Sequence, residues 1–208
     1  MRKIIRLYEE HAAAWDAEFR RVRDRFAGQI RCGRGCSACC SQMFSISPLE
    51  AAAIARTVAA VDARDRERLR ERAHAYLRRA AAEGLLADDG AGESVTPRTG
   101  VRIQCPALLD DACSIYEARP LICRKWGIPV FDPATPHQLH ACELNFRAGD
   151  SIPAGDILAG QSALLEQWVA LKAQAAQSGI TGRRTTIAEA ILQEDASVDG
   201  GSSGAEIR

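Results

Sequence analysis

The sequence predicts a mainly α-helical fold: a single helical domain carrying an irregular, cysteine-rich subregion and at most one short β-hairpin. Apolar residues recur at helical spacing towards both ends of the chain, while cysteines, prolines and glycines gather between them. Aromatics make up only 5% of the chain and alanine is abundant, which suits a core of small aliphatic side chains between helices. A length of 208 residues supports one domain with a substantial core and leaves little room for a second. The expected domain spans residues 1–194. It divides into an N-terminal helix (1–30), a cysteine-cluster region (31–145) and C-terminal helices (155–193), followed by a disordered Gly/Ser-rich tail at 195–208.

The first helix is read from Tyr8, Trp15, Phe19, Val22, Phe26 and Ile30, which fall on one stripe, with Arg20, Arg21, Arg23, Asp24 and Arg25 opposite. Gly28 and Gly33 bracket its exit. Ser47-Pro48-Leu49-Glu50 starts the next helix: a serine N-cap, a proline suited to the first turn and a glutamate that completes a capping box. A third helix runs from about Asp62 to Glu83, with Leu69, Ala73, Tyr76, Leu77 and Ala80 along one side. Residues 84–100 have loop composition, and 101–104 form a candidate strand. Residues 108–115 predict a hairpin with Asp110-Asp111 at its turn. Pro120, Pro129, Pro133 and Pro136 keep the following stretch irregular. Ile157, Leu158, Leu164, Leu165, Trp168, Val169 and Leu171 mark a helix over 155–177, and Thr186 with Glu189 caps a short last one.

Composition excludes several classes of function. Lys plus Arg (27) equals Asp plus Glu (27), so no overall field draws the chain to nucleic acid or an acidic membrane. The N-terminal apolar run is broken by Arg6, unlike a secretion signal, and no apolar stretch reaches the roughly 20 residues of a membrane span. The expected location is cytoplasmic, where thiols stay reduced. Eight cysteines in this length fall well below the roughly 8–10% of disulfide scaffolds, so metal binding or catalysis is the better reading.

The candidate metal ligands are Cys32, Cys36, Cys39, Cys40, Cys105, Cys113, Cys123 and Cys142. Cys36 and Cys39 have the C-x-x-C step that turns two thiolates to one centre, and Gly33 and Gly35 let the loop adopt tight turns. Side chains of successive residues diverge, so the vicinal pair Cys39-Cys40 suits a multi-iron cluster or two metals better than one small ion, unless one of the pair is only buried. A thioredoxin-like motif would need a strand–helix–strand setting that the sequence lacks. Arg31, Arg34, Arg119, Arg124 and Lys125 stand near the cysteines, either offsetting thiolate charge or as ordinary surface cations. His137 and His140 are secondary ligand candidates, and His11 and His74 are expected at the surface.

The run Cys32-x3-Cys36-x2-Cys39-Cys40 is followed by Cys105-Pro106-Ala107-Leu108. Then come Cys113-x-Ile115-Tyr116, Arg119-Pro120 and Cys123-Arg124. In content and order these residues resemble the YkgJ-like cysteine-cluster family, described as zinc- or iron-chelating domains with a C-x-x-C-x-x-C-C signature. The first gap here is three residues where the signature has two. The resemblance implies chelation of a metal ion, iron or zinc, through these cysteines; together with the vicinal pair, the expected cofactor is iron, including a [4Fe–4S] cluster, or zinc. Some members are linked to flagellin lysine N-methylation, yet this chain lacks a Gly-rich strand-to-helix turn for S-adenosylmethionine. Three functions therefore stand open: a redox or electron-transfer metal protein, a structural zinc module for partner binding, and a protein lysine N-methylase-like enzyme. Neither catalytic residues nor a protein partner can be named from the sequence.

Overall fold

The computed structural model describes residues 1–33, 35–85, 102–131, 139–147 and 150–193. The architecture is mainly helical, as the sequence predicts: α1 (Arg2–Arg25), α2 (Pro48–Ala60), α3 (Ala63–Ala82), a one-turn α4 (Leu121–Lys125), α5 (Ala154–Gln177) and α6 (Ile187–Leu192). Two antiparallel pairs of two-residue strands accompany them, β1 (Leu108–Leu109) with β2 (Ala112–Cys113) and β3 (Val130–Phe131) with β4 (Leu139–His140). The first is the expected hairpin: Asp110 and Asp111 take φ of 48° and 57°, the left-handed pair that a tight two-residue turn requires. The second falls in the proline-rich stretch expected to be irregular. Of the candidate strand at 101–104, the described residues 102–104 form no strand; Ile103 instead donates a backbone hydrogen bond to the Ser41 carbonyl. The predicted C-terminal tail, and most of the loop at 84–100, lie outside the described residues.

Helix α2 organises the packing because it is apolar on two faces. Leu49 and Ala53 meet Ile5, Tyr8, Trp15, Leu121, Leu164 and Leu171 from α1, α4 and α5. Ala51, Ile54 and Val58 meet Leu69, Ala73, Tyr76 and Ile191 from α3 and α6, together with Ile115 and Ile122. A smaller cluster joins the end of α1 to β3 and α5 through Val22, Phe26, Ile30, Ile128, Val130 and Ile157. Gly160 lets α1 and α5 approach closely, since a Cβ there would lie 2.4 Å from a carboxyl oxygen of the buried Glu18. Val169, expected on the apolar face of α5, is 63% exposed, while Gln161 is fully buried and donates to the Pro129 carbonyl at 2.8 Å.

Both capping boxes form, at Ser47/Glu50 and Thr186/Glu189. Glu50 also does more than cap. One oxygen accepts from the Ser47 amide and hydroxyl, each at 2.7 Å, while the other accepts from the Leu121 amide at 2.9 Å. A buried side chain thus ties the start of α2 to the start of α4. Asp16 on α1 makes the second tie, pairing with buried Arg124 and, at 3.5 Å, with Arg119. Arg124 also donates to the carbonyls of Glu117 and Arg119, so it is a bracing residue rather than the surface cation the sequence allowed.

His11, expected at the surface, is buried. Its Nε2 accepts from Trp15 Nε1 at 3.2 Å and its ring stacks on Trp168, with centroids 5.8 Å apart. Burial lowers its pKa, as does the Lys125 charge, against a hydrogen bond with Gln167. The Trp15 bond needs Nε2 unprotonated.

Two outcomes are expected. Glu50→Ala leaves buried donors at both helix starts and should destabilise the protein by on the order of 3 kcal/mol in urea denaturation. A loss no larger than that of an ordinary cap, about 1 kcal/mol, would refute the bridging role. His11 binds its proton less readily folded than unfolded, so its contribution is complete above about pH 6.5 and is lost as pH falls towards the folded value. The melting temperature of reduced, metal-free protein should drop in that window, and His11→Gln should flatten the drop. An unchanged slope in the variant would rule His11 out as the source.

Candidate metal centre

Four chain segments carry the cysteines from Cys32 to Cys123. The first is the loop after α1, where Gly35 takes φ of 86° and the Cys36 amide bonds back to the Gly33 carbonyl. It ends in a 3₁₀ turn at Ala38–Ser41 that carries the vicinal pair. The second segment, 102–105, runs beside that turn: the Cys105 amide donates to the Cys40 carbonyl at 2.6 Å. The hairpin then places Cys113 opposite Leu108. Arg119-Pro120 directs the chain into α4, on which Cys123 sits. Cys39, Cys105, Cys113 and Cys123 all pack against the α2–α3–α6 core cluster.

Cys32 and Cys142 have different supports. Cys32 packs on the α1–β3–α5 cluster. Its sulfur accepts from the Asn145 amide nitrogen at 3.3 Å, and the Asn145 side-chain oxygen in turn accepts from the Arg31 amide at 2.9 Å. The Asn145 backbone amide bonds to the Cys142 carbonyl at 2.9 Å, which brings buried Cys142 into the same corner. Gly127 takes φ of 116°, and a Cβ there would stand 2.5 Å from Cys32 Sγ, so only glycine leaves room for that sulfur.

All eight cysteines are free thiols. Burial pushes Cys105 up to about 12, and neighbouring Cys113 and Cys40 add to the effect. Cys123 is raised well above the usual range by burial and by Cys105, Cys113 and Cys40. Cys113 rises mainly through burial, eased by a hydrogen bond from the Ile115 amide and by Arg119 and Arg124. Cys32 rises through burial too, with the Asn145 bond opposing it and Cys36 and Cys142 adding to it. Cys40 is the exception, brought down to about 7 by a hydrogen bond from Cys39 and by Arg119, against its own burial. Cys39, its donor, is pushed up. Protonated buried thiols surrounding one acidic member suit a soft cation, which displaces the protons on binding.

The cysteine pattern and the Arg119 cation beside it were legible in sequence. Arg119 stands by Cys40, Cys113 and Cys123, and lies 3.5 Å from the centroid of the Tyr116 ring. Tyr116 is 55% exposed, whereas Ile115 and Ile122 are buried in the core cluster on which Cys39, Cys105, Cys113 and Cys123 pack. Lys125 lies over the Trp15 ring at 5.2 Å. Arg34 and His137 lie outside the described residues, and His140 is described only as part of β4. Asn145 and Gly127 carry no motif that would have identified them. Among the described residues, no three His, Cys, Asp or Glu side chains close on a common point at ligand distance. The fit to a metal therefore rests on the soft donor set and on the cradle that Gly127 and Asn145 leave around Cys32.

Neither the curated proteins nor the solved structures contain a match to this chain. Residues 31–140, just over half of the chain, match the CxxCxxCC family, described as a zinc- or iron-chelating domain. Cys142 and Asn145 lie beyond the matched segment. With its cysteines in the family's order over the matched segment, the chain belongs to the CxxCxxCC family of zinc- or iron-chelating domains.

Proposed function

We propose that the cysteines bind iron through their thiolates, as single ions or as an iron–sulfur cluster, and that the iron serves a redox or electron-transfer role in the cytoplasm. The observation that carries this reading is the neighbourhood of Cys40. A thiol near neutral pKa sits among buried, protonated thiols, with the Arg119 cation beside it. Thiolate-bound iron supplies one-electron chemistry when present. The chain's own part is to aim the sulfurs, offset their charge through Arg119 and exclude water with Ile115 and Ile122. The proposed ligands are drawn from all eight cysteines.

A structural zinc site is the second reading, and one observation favours it. Residues 102–131 hold little beyond a two-residue-strand hairpin, a 3₁₀ turn, one turn of helix and a single strand of the second pair. Three of the thiols lie there, and a metal that fastens such a stretch contributes folding energy directly.

Protein purified without oxygen should contain metal, and elemental analysis with a visible spectrum identifies it. Iron with absorption that bleaches on reduction supports the redox reading. Colourless zinc supports the structural one. A protein that binds neither metal after reduction would overturn both. Stripping the metal, or substituting Cys123→Ser, should lower the melting temperature, because site and fold share the same residues.

A further inference from the structure

We propose that Asn145 is a positioning residue of the metal site, its buried side-chain amide holding the Cys32 sulfur and donating a hydrogen bond to the metal-bound thiolate. This deepens the metal-binding reading above and rests on it. It also carries the site past residue 140, where the match to the family ends. Asn145 is buried in the turn that follows β4, and its backbone amide bonds back to the Cys142 carbonyl at 2.9 Å. The next amide, that of Phe146, donates to the Gln29 carbonyl at 3.1 Å. The Phe146 ring meets Phe26 edge-on, with centroids 5.7 Å apart. Asn145 Oδ1 accepts from the Arg31 amide at 2.9 Å. The turn is thus fastened to the residues that lead from α1 to Cys32.

The amide nitrogen of Asn145 has two hydrogens to place, and two acceptors face it: the Gly127 carbonyl, and Cys32 Sγ at 3.3 Å. These partners fix which way the amide points, since the reverse orientation would set its oxygen against the Gly127 carbonyl. A thiolate accepts more strongly than a thiol, so the bond to sulfur strengthens when the sulfur carries charge. Gly127 leaves the space that the sulfur occupies, because a Cβ there would stand 2.5 Å from it. A hydrogen bond draws electron density from the sulfur, which alters both metal affinity and reduction potential. Gln161 of α5 provides a contrast. It is another buried amide, and it serves the fold by donating to the nearby Pro129 carbonyl at 2.8 Å.

The test is a titration of the reduced, metal-free full chain with Co²⁺, followed by the thiolate-to-cobalt charge-transfer band. Asn145→Ala keeps every thiol and should weaken cobalt binding by roughly 10–100-fold. Its band should move to longer wavelength, because a thiolate without its hydrogen bond gives up charge more easily. Asn145→Asp keeps the shape and the acceptor for the Arg31 amide but puts an oxygen against the sulfur. It should weaken binding at least as much, and it serves where the alanine variant does not fold. Gln161→Ala should lower the melting temperature yet leave the affinity and the band of the intact chain, which separates a lost structural bond from a lost bond to sulfur. Unchanged affinity and band in the Asn145 variants, or an equal change in Gln161→Ala, would overturn the role of Asn145 while metal binding stands. No thiolate–cobalt absorption in the intact chain would overturn the metal-binding reading, and this role with it.

Discussion

The Glu50 carboxyl group is the joint on which the arrangement of this protein depends. It lies at the start of the central helix, buried, with one oxygen satisfied by its own N-cap and the other by the amide of Leu121. Helix starts leave amides without partners, and a buried one is costly. Here one side chain satisfies an amide at each of two helix starts, and the second helix is the turn that carries Cys123. Asp16, through Arg119 and Arg124, holds the same segment to α1. The irregular cysteine-bearing segment is therefore fastened to the helical body from two sides before any metal is considered. Pro120 adds to this, because it keeps Arg119 extended at the entry to the turn.

This fastening explains how a segment with so little regular structure presents thiols in order. The α2–α3–α6 cluster forms a floor beneath Cys39, Cys105, Cys113 and Cys123, and hydrogen bonds between segments set their spacing. At the other corner the floor is the α1–β3–α5 cluster, and a side-chain amide replaces the backbone ladder. The second floor joins helices from the two ends of the chain, and the first joins two middle helices to the last one. The apolar stripes that build the fold are thus also what position the sulfurs.

Much of this was legible in the sequence because the signals are local. A capping box needs only a hydroxyl and a glutamate three residues on, and both boxes formed. Asp110-Asp111 between apolar residues specifies a left-handed turn. The vicinal cysteines suggested divergent sulfurs, yet in the 3₁₀ turn the Cys39 thiol donates a hydrogen bond to Cys40. What was not legible depends on partners distant in sequence. His11 reads as an exposed helical polar residue until Trp168 of α5 stacks on it. Glu50 reads as a cap until α4 arrives with a free amide. Val169 fits the apolar period of its helix yet faces outward, and Gln161 takes a buried place because the Pro129 carbonyl needs a donor. Asn145 and Gly127 matter only through Cys32, more than ninety residues away in sequence.

The thiols themselves show why a chain would keep this arrangement. Burying a thiol costs little while it stays protonated, but a buried thiolate is expensive, which is why Cys105, Cys113 and Cys123 are held protonated. A cation reverses that balance, since it binds only the deprotonated form and supplies the charge that burial withholds. Cys40 departs from those three, because Cys39 donates a hydrogen bond to it and Arg119 lends positive charge, both of which favour its thiolate.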